Sequence, residues 1–178
     1  SLKMWRDYFQ NAQVWGMDNF RGIMGWKDKA GRYQTFKRPD KFLHEVRAGM
    51  HPRIDLIQVN QSSESEMDAA VRDLRSRNVM FDLIVEDGSH LHRDQQLNLG
   101  QLFPLLRPGS LYVLEDIHSS HYHGFDEPPR SKGTTLKVLM EFQTSGRLVS
   151  KHLSAQASTE LERWIERVEF KVPKHHNG

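Results

Sequence analysis

The 178-residue chain has no cysteine. That excludes disulfides and thiolate-bound zinc, and it fits a cytoplasmic setting. No apolar run approaches the ~20 residues that span a bilayer, so no membrane segment is expected. The N-terminus is amphipathic rather than a basic start followed by an apolar stretch, so no signal peptide is read there. Charge of one sign is also missing: 25 Lys and Arg face 23 acids. Without a basic run or stripe, nucleic acid is not an expected partner. Internal repeats and a clear linker are absent, and residues 1–178 read as one domain. The aromatics and aliphatics suffice for a real core.

What is present is an alternation of apolar strands and amphipathic helices. Residues 1–10 read as a helix with Leu2, Trp5 and Phe9 on one face, and 12–18 as a strand ending at Asp18. A Gly- and Lys-rich connection covers 19–38 and reads as a loop or hairpin. Pro39 and Asp40 open a helix that places Phe42, Leu43, Val46 and Met50 on one side. "IDLIQVN" (54–60) is a second strand, followed by a helix carrying Met67, Ala70, Val71 and Leu74. "FDLIVED" (81–87) is the third strand, and His90 to Leu106 the next helix, stopped by "RPGS". "LYVLED" (111–116) is the fourth strand. A His-, Gly- and Pro-rich loop (117–133) and a helix around 134–145 follow, then "RWIERVEFKVP" (163–173) as a half-exposed antiparallel strand. Trp5, Trp15 and Trp164 are expected in the core. The alternation predicts an α/β fold with a parallel sheet covered on both faces. Ligands in such folds bind outside the carboxyl ends of the strands.

Those ends are polar or acidic. Asp87 and Glu115 are separated by one βαβ unit, so their strands are expected to be neighbours, roughly 4.8 Å apart. Asp87, Glu115 and Asp116 would then meet at one rim. Carboxylates that close repel unless protonated or bridged by a cation. An all-oxygen set suits a hard ion such as Mg²⁺, Mn²⁺ or Ca²⁺. His90, three residues after Asp87, is placed to act as a general base. The same residues also read as solvated strand ends and helix caps. His118, His121 and His123 match no zinc spacing and read as a surface or substrate-facing loop. Asp18 sits where open α/β nucleotide folds bind ribose hydroxyls, and Gln61 to Ser63 where adenine would face. Each also reads as a solvated loop residue. Glu86 reads as a neighbour facing the cofactor side or solvent.

"FDLIVEDGSHLHRDQQLNLGQLFPLLRPGSLYVLEDIHSS" resembles the core of class I S-adenosylmethionine (SAM)-dependent methyltransferases. The nearest subgroup is the metal-dependent macrolide-sugar O-methyltransferases, with cephalosporin-hydroxylase-like proteins beside them. The resemblance covers roughly 1–120 and is specific over 81–120. It implies a Rossmann-like sheet with helices on both faces. In that family a strand and a Gly-rich turn precede a helix like "SLKMWRDYF" and hold the methionine end of SAM. The expected sheet therefore lacks its first strand, and also its last. Carried over residue by residue, Asp87, Glu115 and Asp116 bind Mg²⁺ and His90 is the base. Asp18, Gln61, Ser62 and Glu86 are then the SAM-side residues. The implied activity is methyl transfer to a hydroxyl of a small molecule, a sugar by analogy. Homo-oligomerisation is compatible with open sheet edges. The alternatives are a non-catalytic binding or assembly domain, or another metal-dependent enzyme on the same scaffold.

Overall fold

The computed structural model describes residues 2–20 and 39–171. The expected loop or hairpin over 19–38 therefore lies almost wholly outside the described residues. The chain divides into two compact units, Ser1–Ala70 and Val71–Gly178.

The first unit is built on two parallel strands, β1 (Val14–Asp18) and β2 (Ile54–Gln58), with Val14 opposite Ile54 and Asp18 opposite Gln58. Helix α1 (Leu2–Tyr8) packs on β1 because Gly16 has no side chain. A Cβ there would sit 2.5 Å from Leu2 Cδ1 and 2.9 Å from Leu56 Cδ2. Arg53 ties off the end of α1. Its guanidinium donates to the carbonyls of Arg6, Phe9 and Ala12 at 3.0, 2.9 and 3.2 Å, which answers carbonyls that a helix end leaves open. Helix α2 (Pro39–Arg47) starts at the expected proline and buries Leu43. Met50, expected on its apolar side, is exposed instead. The helix ends at Arg47, and Gly49 (φ 74°) reverses the chain before Met50.

Helix α3 (Glu64–Ser76) begins in the first unit and continues into the second. Ser63 Oγ accepts the N–H of Glu66 at 3.4 Å, while the Glu66 carboxylate reaches back to the N–H of Asn60 at 2.9 Å. This is a variant of the reciprocal cap at a helix start. Met67, Ala70, Val71 and Leu74 are buried, as their spacing requires.

The second unit holds another parallel pair, β3 (Phe81–Glu86) and β4 (Leu106–Leu114), joined through α4 (His92–Leu102) and a 3-10 turn (Phe103–Leu105). Leu83 to Glu86 lie opposite Leu111 to Leu114. The helix ends earlier than expected because Pro104 follows closely. "RPGS" falls within the extended segment, where the register shifts between Phe81 and Leu83. Leu99, Val138, Leu139, Phe142, Leu148 and Leu161 form the core with α5 (Thr135–Ser145) and α6 (Ala155–Trp164). Gly100 lets Leu153 approach α4, since a Cβ there would lie 2.7 Å from Leu153 Cδ2.

The α/β class and the parallel pairing are as expected. Two local expectations are corrected here. Residues 163–171 are not a strand: α6 runs to Trp164, and 165–171 is irregular. Ile165, Val168 and Phe170 pack against the core with no partner strand among the described residues, and Gln143 Nε2 donates to the Val168 carbonyl at 2.8 Å. Residues 172–173 lie outside the described residues. Trp164 is exposed at the end of α6 rather than in the core, whereas Trp5 and Trp15 are half-buried. On β4, Leu111 is 65% and Val113 39% exposed among the described residues. No helix among the described residues is long and apolar enough to cross a membrane.

Candidate metal centre

The parallel ladder of β3 and β4 continues past its last paired residues: the N–H of Glu115 donates to the carbonyl of Glu86 at 2.9 Å. Asp87 and Glu115 therefore leave their strands at one rim. Asp116 then turns the chain with a left-handed backbone (φ 50°) into a 3-10 turn over Ile117–His121. His90 is left-handed too (φ 58°) and lies in the connection before α4, not in the helix itself. Such conformations are uncommon outside glycine and persist where surrounding bonds hold them.

These bends bring Asp87, His90 and Asp116 together, each offering one ligand atom within 4.8 Å of the others. His90 Nε2 lies 3.5 Å from Asp116 Oδ2, and His118 Nδ1 lies 3.5 Å from Asp116 Oδ1. Glu115 is exposed and its carboxylate is outside the group; its carbonyl accepts from Gln95 Nε2 at 3.4 Å. The donors are two carboxylates and one imidazole, which suits a divalent cation of the Mg²⁺ or Mn²⁺ type and, through the imidazole, transition ions as well.

Glu86 points the other way along the strand and is 6% exposed. Among the described residues, neither of its oxygens has a well-formed hydrogen bond. Burial pushes its pKa up to about 7, aided by the Asp87 and Asp94 carboxylates and opposed by the Gly88 N–H and Asn98. Tyr112 lies close by, and burial holds its phenol well above the ordinary value.

A second group of possible ligands, Asp126, Glu127 and His152, is already neutralised by protein donors. Glu127 accepts from Lys151 at 2.7 Å and His152 at 2.9 Å. Burial raises the Glu127 pKa, but these two partners together outweigh it and hold the carboxyl below its ordinary value. Asp126 accepts the backbone N–H of His92 at 2.7 Å and of Arg93 at 2.8 Å. Sequence reasoning missed this group, since nothing in the spacing of 126, 127 and 152 joins them.

In the first unit, a pocket of about 310 Å³ opens at the carboxyl ends of β1 and β2. Asn19, Gln58, Val59, Asn60 and Glu66 line it. The expected residues flank that lining. Asp18 is exposed, and its Oδ1 accepts the N–H of Phe20 at 2.5 Å. Gln61 is half-buried and Ser62 exposed, the latter with its N–H on Asn60 Oδ1 at 3.2 Å. Asn19 and Asn60 each stand one position from a residue singled out in the sequence, whereas Gln58, Val59 and Glu66 were not singled out.

No family model matches the chain. Its sequence is nevertheless similar to several O-methyltransferases, which is the resemblance the motifs imply. The mycinamicin VI 2''-O-methyltransferase of Micromonospora griseorubida is 32% identical over 142 residues, covering 78% of this chain and 29% of the relative. The 8-demethyl-8-alpha-L-rhamnosyl tetracenomycin-C 2'-O-methyltransferase of Streptomyces olivaceus is 30% identical, covering 79% and 31%. The chain thus spans about three-tenths of the length of the curated relatives it matches. Among solved structures, the MycE methyltransferase from the mycinamycin biosynthetic pathway, in complex with Mg and SAH, matches at 25% identity. It covers 81% of this chain and 41% of that one, with a TM-score of 0.49.

Proposed function

We propose that this chain is the cation-holding, hydroxyl-activating part of a SAM- and divalent-metal-dependent O-methyltransferase. The acceptor is a small molecule, in our reading a sugar hydroxyl of a glycosylated natural product. The observation that carries the proposal is the convergence of Asp87, His90 and Asp116 at the carboxyl rim of β3 and β4. The names of the relatives support the acceptor class. We read 1–178 as part of one such domain, in a cytoplasmic setting, with a homo-oligomer compatible with it.

When bound, a hard divalent cation would lower the pKa of the acceptor hydroxyl, and SAM would supply the methyl group. Asp87 and Asp116 are the carboxylates that would hold the cation, and the resemblance adds Glu115. His90 Nε2, facing Asp116, is the atom we assign to receive the hydroxyl proton. The pocket of Asn19, Gln58, Asn60 and Glu66, with Asp18, Gln61 and Ser62 beside it, offers polar donors and acceptors that suit a nucleoside. Glu86, buried behind the rim, keeps in our reading the SAM-side role that the resemblance gives it.

Calorimetric titration of SAM, with and without Mg²⁺, tests the reading. Saturable SAM binding is expected. No SAM binding in either condition would sink it.

A further inference from the structure

Helix α4 starts with an unsuitable cap. Its N-cap residue is Leu91, whose side chain accepts nothing, yet the first N–H groups of a helix need acceptors. The acceptor comes from 34 residues away. Asp126 Oδ1 takes the N–H of His92 at 2.7 Å, and Asp126 Oδ2 takes that of Arg93 at 2.8 Å. A carboxylate there also meets the positive end of the helix dipole.

The turn just before this cap carries His90. From the other side it is held by Ser89, whose Oγ donates to Asp94 Oδ2 at 2.7 Å and accepts the N–H of Leu91 at 3.3 Å. Asp94 itself is 1% exposed. His90 therefore sits in an uncommon left-handed conformation between two anchors. The Asp126 anchor is itself fixed. Its neighbour Glu127 is buried against Lys151 and His152, and a side chain at Gly133 would collide with the Glu127 carboxylate. The N–H of Arg130 donates to the Ser120 carbonyl at 2.8 Å.

We infer that Asp126 is a positioning residue: it caps α4 in place of Leu91 and thereby sets the orientation of the His90 imidazole towards Asp116. The segment from 117 to 133, which follows the metal-side acids, thus also fixes the proposed base. The inference rests on the reading of His90 as that base.

The test is two-bond ¹H–¹⁵N NMR of the histidine rings in the metal-free protein, comparing wild type, Asp126→Ala and Asp126→Asn. The His90 signal is assigned with His90→Gln, and His152, paired with Glu127 in the second unit, reports on folding of that unit. The inference predicts that Asp126→Ala displaces the His90 signal while the His152 signal of a folded ring persists. Asp126→Asn, which keeps one acceptor oxygen, should give an intermediate displacement. In turnover, Asp126→Ala should lower kcat on the order of 100-fold with SAM affinity unchanged, the scale expected of a misplaced reacting group. A His90 signal that coincides with wild type overturns the inference. Should Asp126→Ala lose the His152 signal as well, Asp126→Asn decides by the same comparison. Failure of wild type to bind SAM or transfer methyl would count against the proposed function, and the ring signals would still decide the positioning.

Discussion

His90 Nε2 and Asp116 Oδ2 lie 3.5 Å apart, although the two residues leave different strands and are separated by the whole of α4 and β4. Both have left-handed backbones. The pairing follows from parallel neighbours whose chains bend at the same rim, so it belongs to the topology rather than to local sequence.

The two acids after β4 should differ in weight. Asp116 faces Asp87 and His90, whereas the Glu115 carboxylate lies outside that group. Asp116→Asn should weaken Mn²⁺ binding, followed by the electron paramagnetic resonance of free Mn²⁺, by roughly tenfold or more, the scale of losing a ligand or its support. Glu115→Gln should cost less. Equal losses would show that Glu115 moves in as a full ligand, as the family resemblance implies.

His90→Gln should lower kcat by roughly 10²- to 10⁴-fold, the range of general acid–base catalysis. SAM affinity, measured by calorimetry, should stay within about twofold, since the pocket we propose for SAM at β1 and β2 is made by other residues. Loss of both together would mean that the imidazole only supports the fold.

Glu86 predicts a pH-dependent stability. Its folded pKa of about 7 stands above the ordinary 4.5, because burial disfavours the carboxylate. The folded chain therefore holds this proton more tightly than the unfolded chain. Its contribution is complete below about 4.5 and is lost as pH rises to about 7, by roughly 3 kcal/mol in all. Urea unfolding of the metal-free protein at pH 5 and pH 8 should show this decline in wild type, and a flatter profile in Glu86→Gln. Identical profiles would mean that the carboxyl is hydrated in the folded state.

Much of this was legible in the sequence because acids ending two apolar strands, one βαβ apart, are hard to place anywhere but one rim. Asp87 and Asp116 needed only strand period and parallel pairing. The cap by Asp126 was not legible, since it joins a Gly- and Pro-rich loop to a helix 34 residues away and leaves no periodic trace. Helix α6 was missed although Ser154 caps it at 3.1 Å and Ala157 and Leu161 keep a four-residue spacing. The neighbouring Ile165, Val168 and Phe170 suggested a strand, but their spacing of three and then two is not strict alternation. Their burial comes from packing on α5 and α6 rather than from a ladder. The exposure of Leu111 and Val113 was equally hidden, because an apolar strand does not say which of its faces is covered.

The most direct test is anomalous scattering from a crystal of the protein grown with Mn²⁺. The account predicts a peak within bonding distance, about 2.2 Å, of carboxylate oxygens from both Asp87 and Asp116. A well-occupied peak elsewhere, with those two carboxylates free, would contradict it.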